Sequence, residues 1–428
     1  MVVLEVIGRE WTLVQVAAYA ALAYVVYKVV EWYFTCPEVY GRHGFKQNLY
    51  EENSYKRRQL DKLRAESGEF PPPYPNGWYK IAESAEVPKG KVVTVSALGR
   101  EFVVFRGKED GVAGVIDAFC PHLGTHLGHG GQVVGNNIQC PYHLWEFNSD
   151  GENKNIPYCK KDMSGSKRVN VKKFTTYESP ELGSIFFWYH CEDKEPEWEL
   201  HPGLSEIEKD VKSGKMRRVS ANRWSDMMMH VFEASQNSAD YFHFSTVHQY
   251  LPMPFNLKLV KADHIISTIY GAEGTEVTKE SMMIRERLDR LRVFGWNIFT
   301  LPSFIKDSII TYVHIQGPNN VVFKVDTILG SFRAHYAMLP LEPFRQKATI
   351  VMYADRKIPF FVARLLHWWI EETVGQDRQV WEHKKHVAPR NLVVGDGPFA
   401  QYGKWIEQFY TEKSYSWNQF RARDSLEW

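Results

Sequence analysis

Two short Cys/His pairs constrain this chain more than any other feature: Cys120-Pro-His122 and, after 17 intervening residues, Cys140-Pro-Tyr-His143. Each pair puts one cysteine and one histidine on a single tight loop. Two such loops facing one another can close on one small inorganic centre, provided that a rigid scaffold holds them. The preceding residues supply one, because 92–95, 102–106 and 112–117 read as short strands joined by Gly-containing turns such as GKEDG.

Two kinds of centre compete for four such ligands. A structural zinc ion is usually held by C-x2–4-C or H-x3–5-H pairs, with like ligands on each knuckle. Here each loop carries one of each kind. A [2Fe–2S] cluster with two cysteines on one iron and two histidines on the other fits the mixed pairs better. Pro121 and Pro141 stiffen both loops, and nearby glycines let backbone amides approach the cluster sulfurs.

The string resembles the Rieske iron–sulfur family, whose pattern is C-P-H followed by C-P-Y-H-G-W. The chain departs from it once, with Leu144 where glycine is usual, and loses no ligand by it. The resemblance implies Cys120, His122, Cys140 and His143 as cluster ligands. His126 and His129 lie off the family's ligand positions and read as surface or packing residues. Cys159 and Cys191 lie outside the loops and read as small core residues.

A cluster alone only carries electrons. Further along stands FEASQNSADYFHFSTVH, in which Asn237, Asp240 and His243 recur at intervals of three and share one broad helical face. His248 would sit about 140° away on a continued helix. For both imidazoles to meet one ion, the helix must end or bulge around Phe244–Thr246, where Ser245 and Thr246 compete for backbone hydrogen bonds.

Two histidines and one carboxylate form the facial triad that binds non-heme Fe(II) and leaves positions open for oxygen chemistry. The best acid is Asp377. Trp369, Ile370, Val374, Val380 and Trp381 place it on the apolar stripe of a helix, while Glu371, Glu372 and Glu382 fall off that stripe. A carboxylate on a buried face is costly unless paired or metal-bound. Asp355 and Asp396 are rivals without an apolar helical frame.

Behind a Rieske motif, N-x-x-D-x-x-H-x-x-x-x-H resembles the Rieske non-heme iron oxygenases, whose third ligand often stands in a Q-D-x-x-x-W context; Gln376, Asp377 and Trp381 match it. The resemblance implies that Asp240 bridges an iron histidine to a cluster histidine of a neighbouring subunit in a head-to-tail homotrimer. Asn237 reads as a pocket residue or as a capping or packing amide.

The 428 residues suffice for two or three domains, and 52 basic against 51 acidic residues leave no electrostatic footprint for nucleic acid. Five scattered cysteines suit a reducing compartment. From Trp11 to Tyr27 no residue carries a formal charge, which approaches the length that spans a bilayer. A cleavable signal peptide or a buried helix are alternatives, but Glu5, Arg9 and Glu10 give a net −1 where a signal peptide is positive. Basic residues follow the stretch (Arg42, Lys46, Lys56, Arg57, Arg58, Lys62 and Arg64) and place the bulk of the chain in the cytosol, with the endoplasmic reticulum as the expected membrane. Residues 51–66 read as a solvated linker, and PPPYP at 71–75 as a stiff spacer.

The expected architecture is therefore α+β: a transmembrane anchor (1–35), a linker (36–75), an all-β Rieske domain (76–195), and a catalytic domain of antiparallel sheet with helices (205–428). No G-x-G-x-x-G fingerprint or plant-type cluster loop is present, so electrons from NAD(P)H must arrive through a separate reductase or ferredoxin-like donor. Within the family, the anchor, the length and the segment DGPFAQYGKWIEQFY (396–410) resemble the animal cholesterol 7-desaturases of the Neverland type. That likeness implies O2-dependent introduction of a 7,8 double bond into a sterol. Pocket walls are expected from 295–316 and 365–370. Other readings are a hydroxylase of a ketosteroid or a chlorophyll derivative, or a pure electron-transfer protein.

Overall fold

A computed structural model describes residues 3–6, 9–35, 70–161, 163, 165–252, 258–271, 277–293, 296–299, 310–327, 330–384, 386–387 and 390–417. A hairpin of β1 (Val3–Val6) and β2 (Arg9–Thr12) leads into α1 (Leu13–Thr35), the helix expected from the apolar stretch. The side chains described along it are exposed on every side. Among the described residues no helix is long and apolar enough to cross a membrane. Cys36 and the basic run 42–64 lie outside the described residues.

The first β unit runs from β3 (Gly77–Glu83) to β13 (Ser184–Tyr189). β4 (Val92–Ala97), β5 (Arg100–Arg106) and β6 (Ala113–Asp117) form a meander, and the sequence expectation for these three strands holds within two residues. Alternating apolar residues bury Phe102, Val104 and Val115 on one side and Val103, Phe105 and Ile116 on the other. The second of these layers backs a small sheet of β7 (Gln132–Val134), β8 (Asn137–Gln139), β9 (Glu146–Phe147) and β10 (Asn153–Asn155), from which the two Cys/His loops project.

The second unit is built on one antiparallel sheet. Its strand order is β14 (Met216–Met227), β21 (Arg345–Asp355), β20 (Gly330–Glu342), β19 (Asn320–Thr327), β18 (Ile310–Gln316), β16 (Ser281–Val293) and β15 (Val260–Tyr270), with β17 (Trp296–Phe299) added to β16. Beside it stand α2 (Pro202–Lys212), α3 (Phe232–Gln236), α4 (Phe242–Thr246), the long α5 (Phe360–Trp381) and α6 (Phe399–Glu407). An all-β domain followed by an α+β domain is thus what the chain forms.

Several expectations are corrected. PPPYP is no free spacer: Phe70 joins the core of the second unit, and Pro73–Pro75 are buried. Cys159 is exposed, and Cys191 is half-buried with its Sγ 3.3 Å from Thr411 Oγ1, so neither fills a core. Glu371, Glu372 and Glu382 are buried rather than solvated. The side of α5 that carries them is also covered by protein: Asn222 Nδ2 donates to Glu371 at 2.6 Å, and Arg378 Nε donates to Glu382 at 2.7 Å. Buried carboxylates with charged or amide partners are tolerated.

Candidate metal centres and substrate cavity

The two Cys/His loops are near copies of each other. In the first, Cys120 N donates to Thr125 O at 2.9 Å and Gly124 N to Cys120 O at 2.9 Å; in the second, Cys140 N donates to Trp145 O at 2.8 Å and Leu144 N to Cys140 O at 3.2 Å. Gly124 has φ +75 and Leu144 has φ +60. The family's glycine at position 144 therefore serves a left-handed backbone, which this chain reaches with a leucine at a steric cost.

Both cysteines are buried, and the His122 and His143 rings stand 4.7 Å apart at 73°. Trp145 stacks on His122 at 4.6 Å and 8°. Burial pushes the Cys120 thiol up to about 11, against hydrogen bonds from the His122 and Leu123 amides, and neighbouring Cys140 adds to the rise. The thiolate form is therefore expected only when cationic metal is present to hold it. Among the described residues, only His243, His248 and Asp377 bring three Cys, His or carboxylate ligand atoms within 4.8 Å. One cysteine and one histidine on each loop suit a two-iron cluster better than one tetrahedral zinc ion. His126 accepts from Gly128 N at 3.0 Å and packs edge-on against Phe119; His129 is exposed.

The second centre forms where a helical run breaks. α3 and the single turn Asn237–Ala239 end at Asp240, which has extended backbone (φ −103, ψ 92), and α4 then begins. Asn237, Asp240 and His243 thus do not share one continuous helix, contrary to the sequence expectation. Asp240 Oδ1 accepts from His243 N at 3.1 Å, and its carbonyl oxygen accepts from His243 Nδ1. α4 stops at Thr246, inside the stretch where a break was required for His248 to turn back toward His243.

Both histidines present Nε2 to the same point. His248 Nδ1 donates to Gln376 Oε1 at 2.9 Å, while its Nε2 lies 3.1 Å from Asp377 Oδ1. Burial disfavours a charged His248, but the Asp377 carboxylate, helped by Gln376, outweighs it and raises the imidazole to about 8. Two imidazoles and a carboxylate, each ring fixed by a hydrogen bond behind it, suit a ferrous ion. Asp355 and Asp396 instead accept from Lys357 N (3.0 Å) and Val393 N (2.7 Å) in turns.

The C-terminal segment buttresses this break. A Cβ on Gly397 would meet the Ala239 carbonyl oxygen at 2.1 Å, so the chain can pass there only as glycine. Tyr402 of α6 bonds Ser235 Oγ at 2.8 Å and Phe232 O at 3.1 Å, tying α6 to α3.

In front of the three ligands opens a cavity of about 1260 Å³, the open solvent at its mouth included. Ile284, Val313, Val321 and Phe332 of the sheet face Trp369 and Ile370 of α5 across it. The expected wall segments contribute through Thr311, Val313, Ile315, Trp369 and Ile370, while 300–309 lie outside the described residues. Asn237 lines the cavity and accepts from Trp381 Nε1 at 3.2 Å.

The family comparisons agree with both halves of this geometry. The Rieske [2Fe-2S] domain family matches residues 77–175, and the 3-ketosteroid 9alpha-hydroxylase C-terminal domain family matches 335–410. The chain is 30% identical to a cholesterol 7-desaturase of Hemicentrotus pulcherrimus, over 85% of this chain and 75% of that one. A cholesterol 7-desaturase of Drosophila melanogaster is also 30% identical, over 84% and 82% of the two chains. The chain belongs to the Rieske oxygenase family that includes these desaturases. The oxygenase component of a 3-ketosteroid-9-alpha-monooxygenase from Rhodococcus rhodochrous is 27% identical, over 83% and 89%. Dicamba monooxygenase shares the fold, with a TM-score of 0.55 over 81% of this chain and 98% of that one at 15% identity.

As a member of this family the chain is an oxygenase with a Rieske cluster and a mononuclear iron, and it draws electrons from a separate donor. One pair in the cavity escaped sequence reasoning. His264 Nδ1 and Glu286 Oε1 stand 2.7 Å apart, and His264 Nε2 donates to the His248 carbonyl at 3.2 Å. The signal was present in the alternation of β16, where Met282, Ile284, Glu286 and Leu288 share a face and only one of them is charged.

Proposed function

We propose that this protein desaturates cholesterol at carbons 7 and 8 to give 7-dehydrocholesterol, in steroid hormone biosynthesis. The observation that carries the reading is an apolar cavity, open at its mouth, that ends on His243, His248 and Asp377. Likeness to named cholesterol 7-desaturases over most of the chain supports the substrate.

The overall change balances as sterol plus O2, two electrons and two protons, giving the diene and two waters. A ferrous ion bound by the triad supplies dioxygen activation. The protein's own residues hold the substrate's flat face against the sheet, exclude bulk water, and leave one edge of the ring system at the ligands.

Cys120, His122, Cys140 and His143 would hold the cluster that receives electrons from NAD(P)H through a reductase. Asp240 would connect the two kinds of centre between neighbouring subunits of a homotrimer. Its carbonyl holds His243, and its side chain is 43% exposed, so the carboxylate can accept from a donor on another chain. Phe119, Leu123, Tyr142, Leu144 and Tyr158 expose apolar surface around the cluster loops, and Phe242 does so beside Asp240. Such paired patches suit a head-to-tail interface.

α1 would tether the enzyme to the endoplasmic reticulum with the catalytic domains in the cytosol. Its described apolar side chains face outward, and it runs close to α5, whose first turns expose Phe360, Phe361 and Leu365.

A second reading, hydroxylation of a 3-ketosteroid, is favoured by the match at 335–410 and by the Rhodococcus relative. The test is to supply cholesterol and a 3-ketosteroid with a competent reductase and identify products by mass spectrometry. The desaturase reading expects 7-dehydrocholesterol. Conversion of the ketosteroid alone, to a hydroxylated product, would overturn it.

A further inference from the structure

The polar groups that line the cavity are almost all committed. Three are the metal-binding side chains, Gln376 supports His248, Asn237 accepts from Trp381, and Thr373 donates to the Trp369 carbonyl at 2.9 Å. Tyr336 OH donates to Met227 Sδ at 3.4 Å. The His264–Glu286 pair is different. Its side chains are only 4% and 16% exposed, yet both line the cavity on an otherwise apolar wall. Thr311 stands directly opposite Glu286 in the β16–β18 register and lines the cavity as well.

A buried polar pair on an apolar wall is costly unless its hydrogen-bonding capacity is used. His264 spends one ring nitrogen on Glu286 and the other on the His248 backbone. It therefore fixes the carboxylate relative to a metal ligand through one imidazole and two hydrogen bonds. One carboxylate oxygen takes the His264 contact, and a carboxylate has a second oxygen with its own lone pairs.

From this we infer that Glu286 is the acceptor for the substrate's 3-hydroxyl, with His264 as its positioning residue and Thr311 beside it. The inference rests on the sterol reading above and deepens it. Carbon 7 of a sterol belongs to the ring fused to the one that bears the hydroxyl, so a hydroxyl acceptor near the metal site fixes which carbon meets it. The same carboxylate discriminates by chemistry. A hydroxyl donates to it, whereas a 3-keto oxygen can only accept and would face an acceptor. Glu286 thus selects 3-hydroxysterols over 3-ketosteroids.

The test uses the full chain with both metal centres, and reads equilibrium binding in the absence of oxygen beside turnover. The ligands are cholesterol, cholest-5-ene (which lacks only the hydroxyl) and cholest-4-en-3-one. The wild type is expected to bind cholesterol about 100-fold more tightly than either analogue, the size of one hydrogen bond to a carboxylate. Glu286→Leu is expected to erase the difference and to scatter the oxidation site, while Glu286→Gln, which keeps an acceptor oxygen, retains part of both. Equal binding of cholesterol and cholest-5-ene by a wild type that desaturates cholesterol would overturn the Glu286 assignment alone. A wild type that converts no sterol would overturn the desaturase reading and this inference with it. If the leucine variant fails to fold, the wild-type comparison of the three ligands decides the matter by itself.

Discussion

Asp377 Oδ1 lies 3.1 Å from His248 Nε2, although 129 positions separate the two residues in the chain, and both atoms lie within 4.8 Å of a ring nitrogen of His243. Metal-free, that contact is an ion pair inside the cavity wall. Both side chains would be ligands of a ferrous ion held at this site.

Replacing Asp377 by alanine removes one of three ligands and the sole negative charge among them. The cluster loops are untouched, because they belong to a different sheet. Iron is expected to fall by one per chain with the cluster's absorption and paramagnetic spectra unchanged, and turnover is expected to be lost. Retention of full turnover would show that another carboxylate serves.

Gln376 holds His248 through its outer nitrogen, at 2.9 Å. Such supports usually change metal affinity by about 10- to 100-fold when removed. Gln376→Leu should therefore lose iron from the mononuclear site at a chelator concentration that the wild type withstands, with little effect on thermal stability. Calorimetry and competitive chelation separate the two quantities.

Leu144 occupies a left-handed position (φ +60) that its counterpart Gly124 fills without penalty. A leucine there costs roughly 1–2 kcal/mol in conformation, of which glycine's extra freedom in the unfolded chain gives back about 0.5–1. Leu144→Gly should stabilise the cluster domain by about 0.5–1 kcal/mol. Slower loss of cluster absorbance on heating would report it, and faster loss would contradict the strain argument.

Buried histidines set the response to acid. Burial lowers His201, His230 and His367 to about 3 each, from an ordinary value near 6.5. His201 must stay neutral, because Nδ1 accepts from Gly203 N at 2.9 Å while Nε2 donates to His314 O at 3.2 Å. Below pH 6.5 the unfolded chain takes up protons that the folded chain refuses. Stability should therefore fall as pH drops below 6.5, each histidine contributing a slope of about 1.4 kcal/mol per pH unit at most. His201→Asn, which can still accept from Gly203, should flatten the slope of denaturant-measured stability by one such increment.

Much of the site could be read from the chain because metal chemistry fixes ligand type and local spacing. Cys120, His122, Cys140 and His143 announce themselves by mixed pairs on two loops, and His243 with His248 by an interval that forces a helix to break. Asp377 was accessible through its apolar frame. The same stripe argument failed for Glu371 and Glu382, since it assumes one solvated helix face, and α5 is covered on that side by β14 and by its own Arg378. The Asn237–Asp240–His243 run looked like one helix because spacing of three cannot reveal the extended backbone at Asp240. Glu286 and His264 meet only through strand register, which local sequence does not encode.

Two separate iron centres in one polypeptide underlie the chemistry of this chain. The most direct measurement is iron and acid-labile sulfide per chain in active protein, taken together with zinc. The expected result is about three irons and about two sulfides, with negligible zinc. Active protein that carries zinc at the Cys/His loops, or two irons only with nothing at His243, His248 and Asp377, would contradict it.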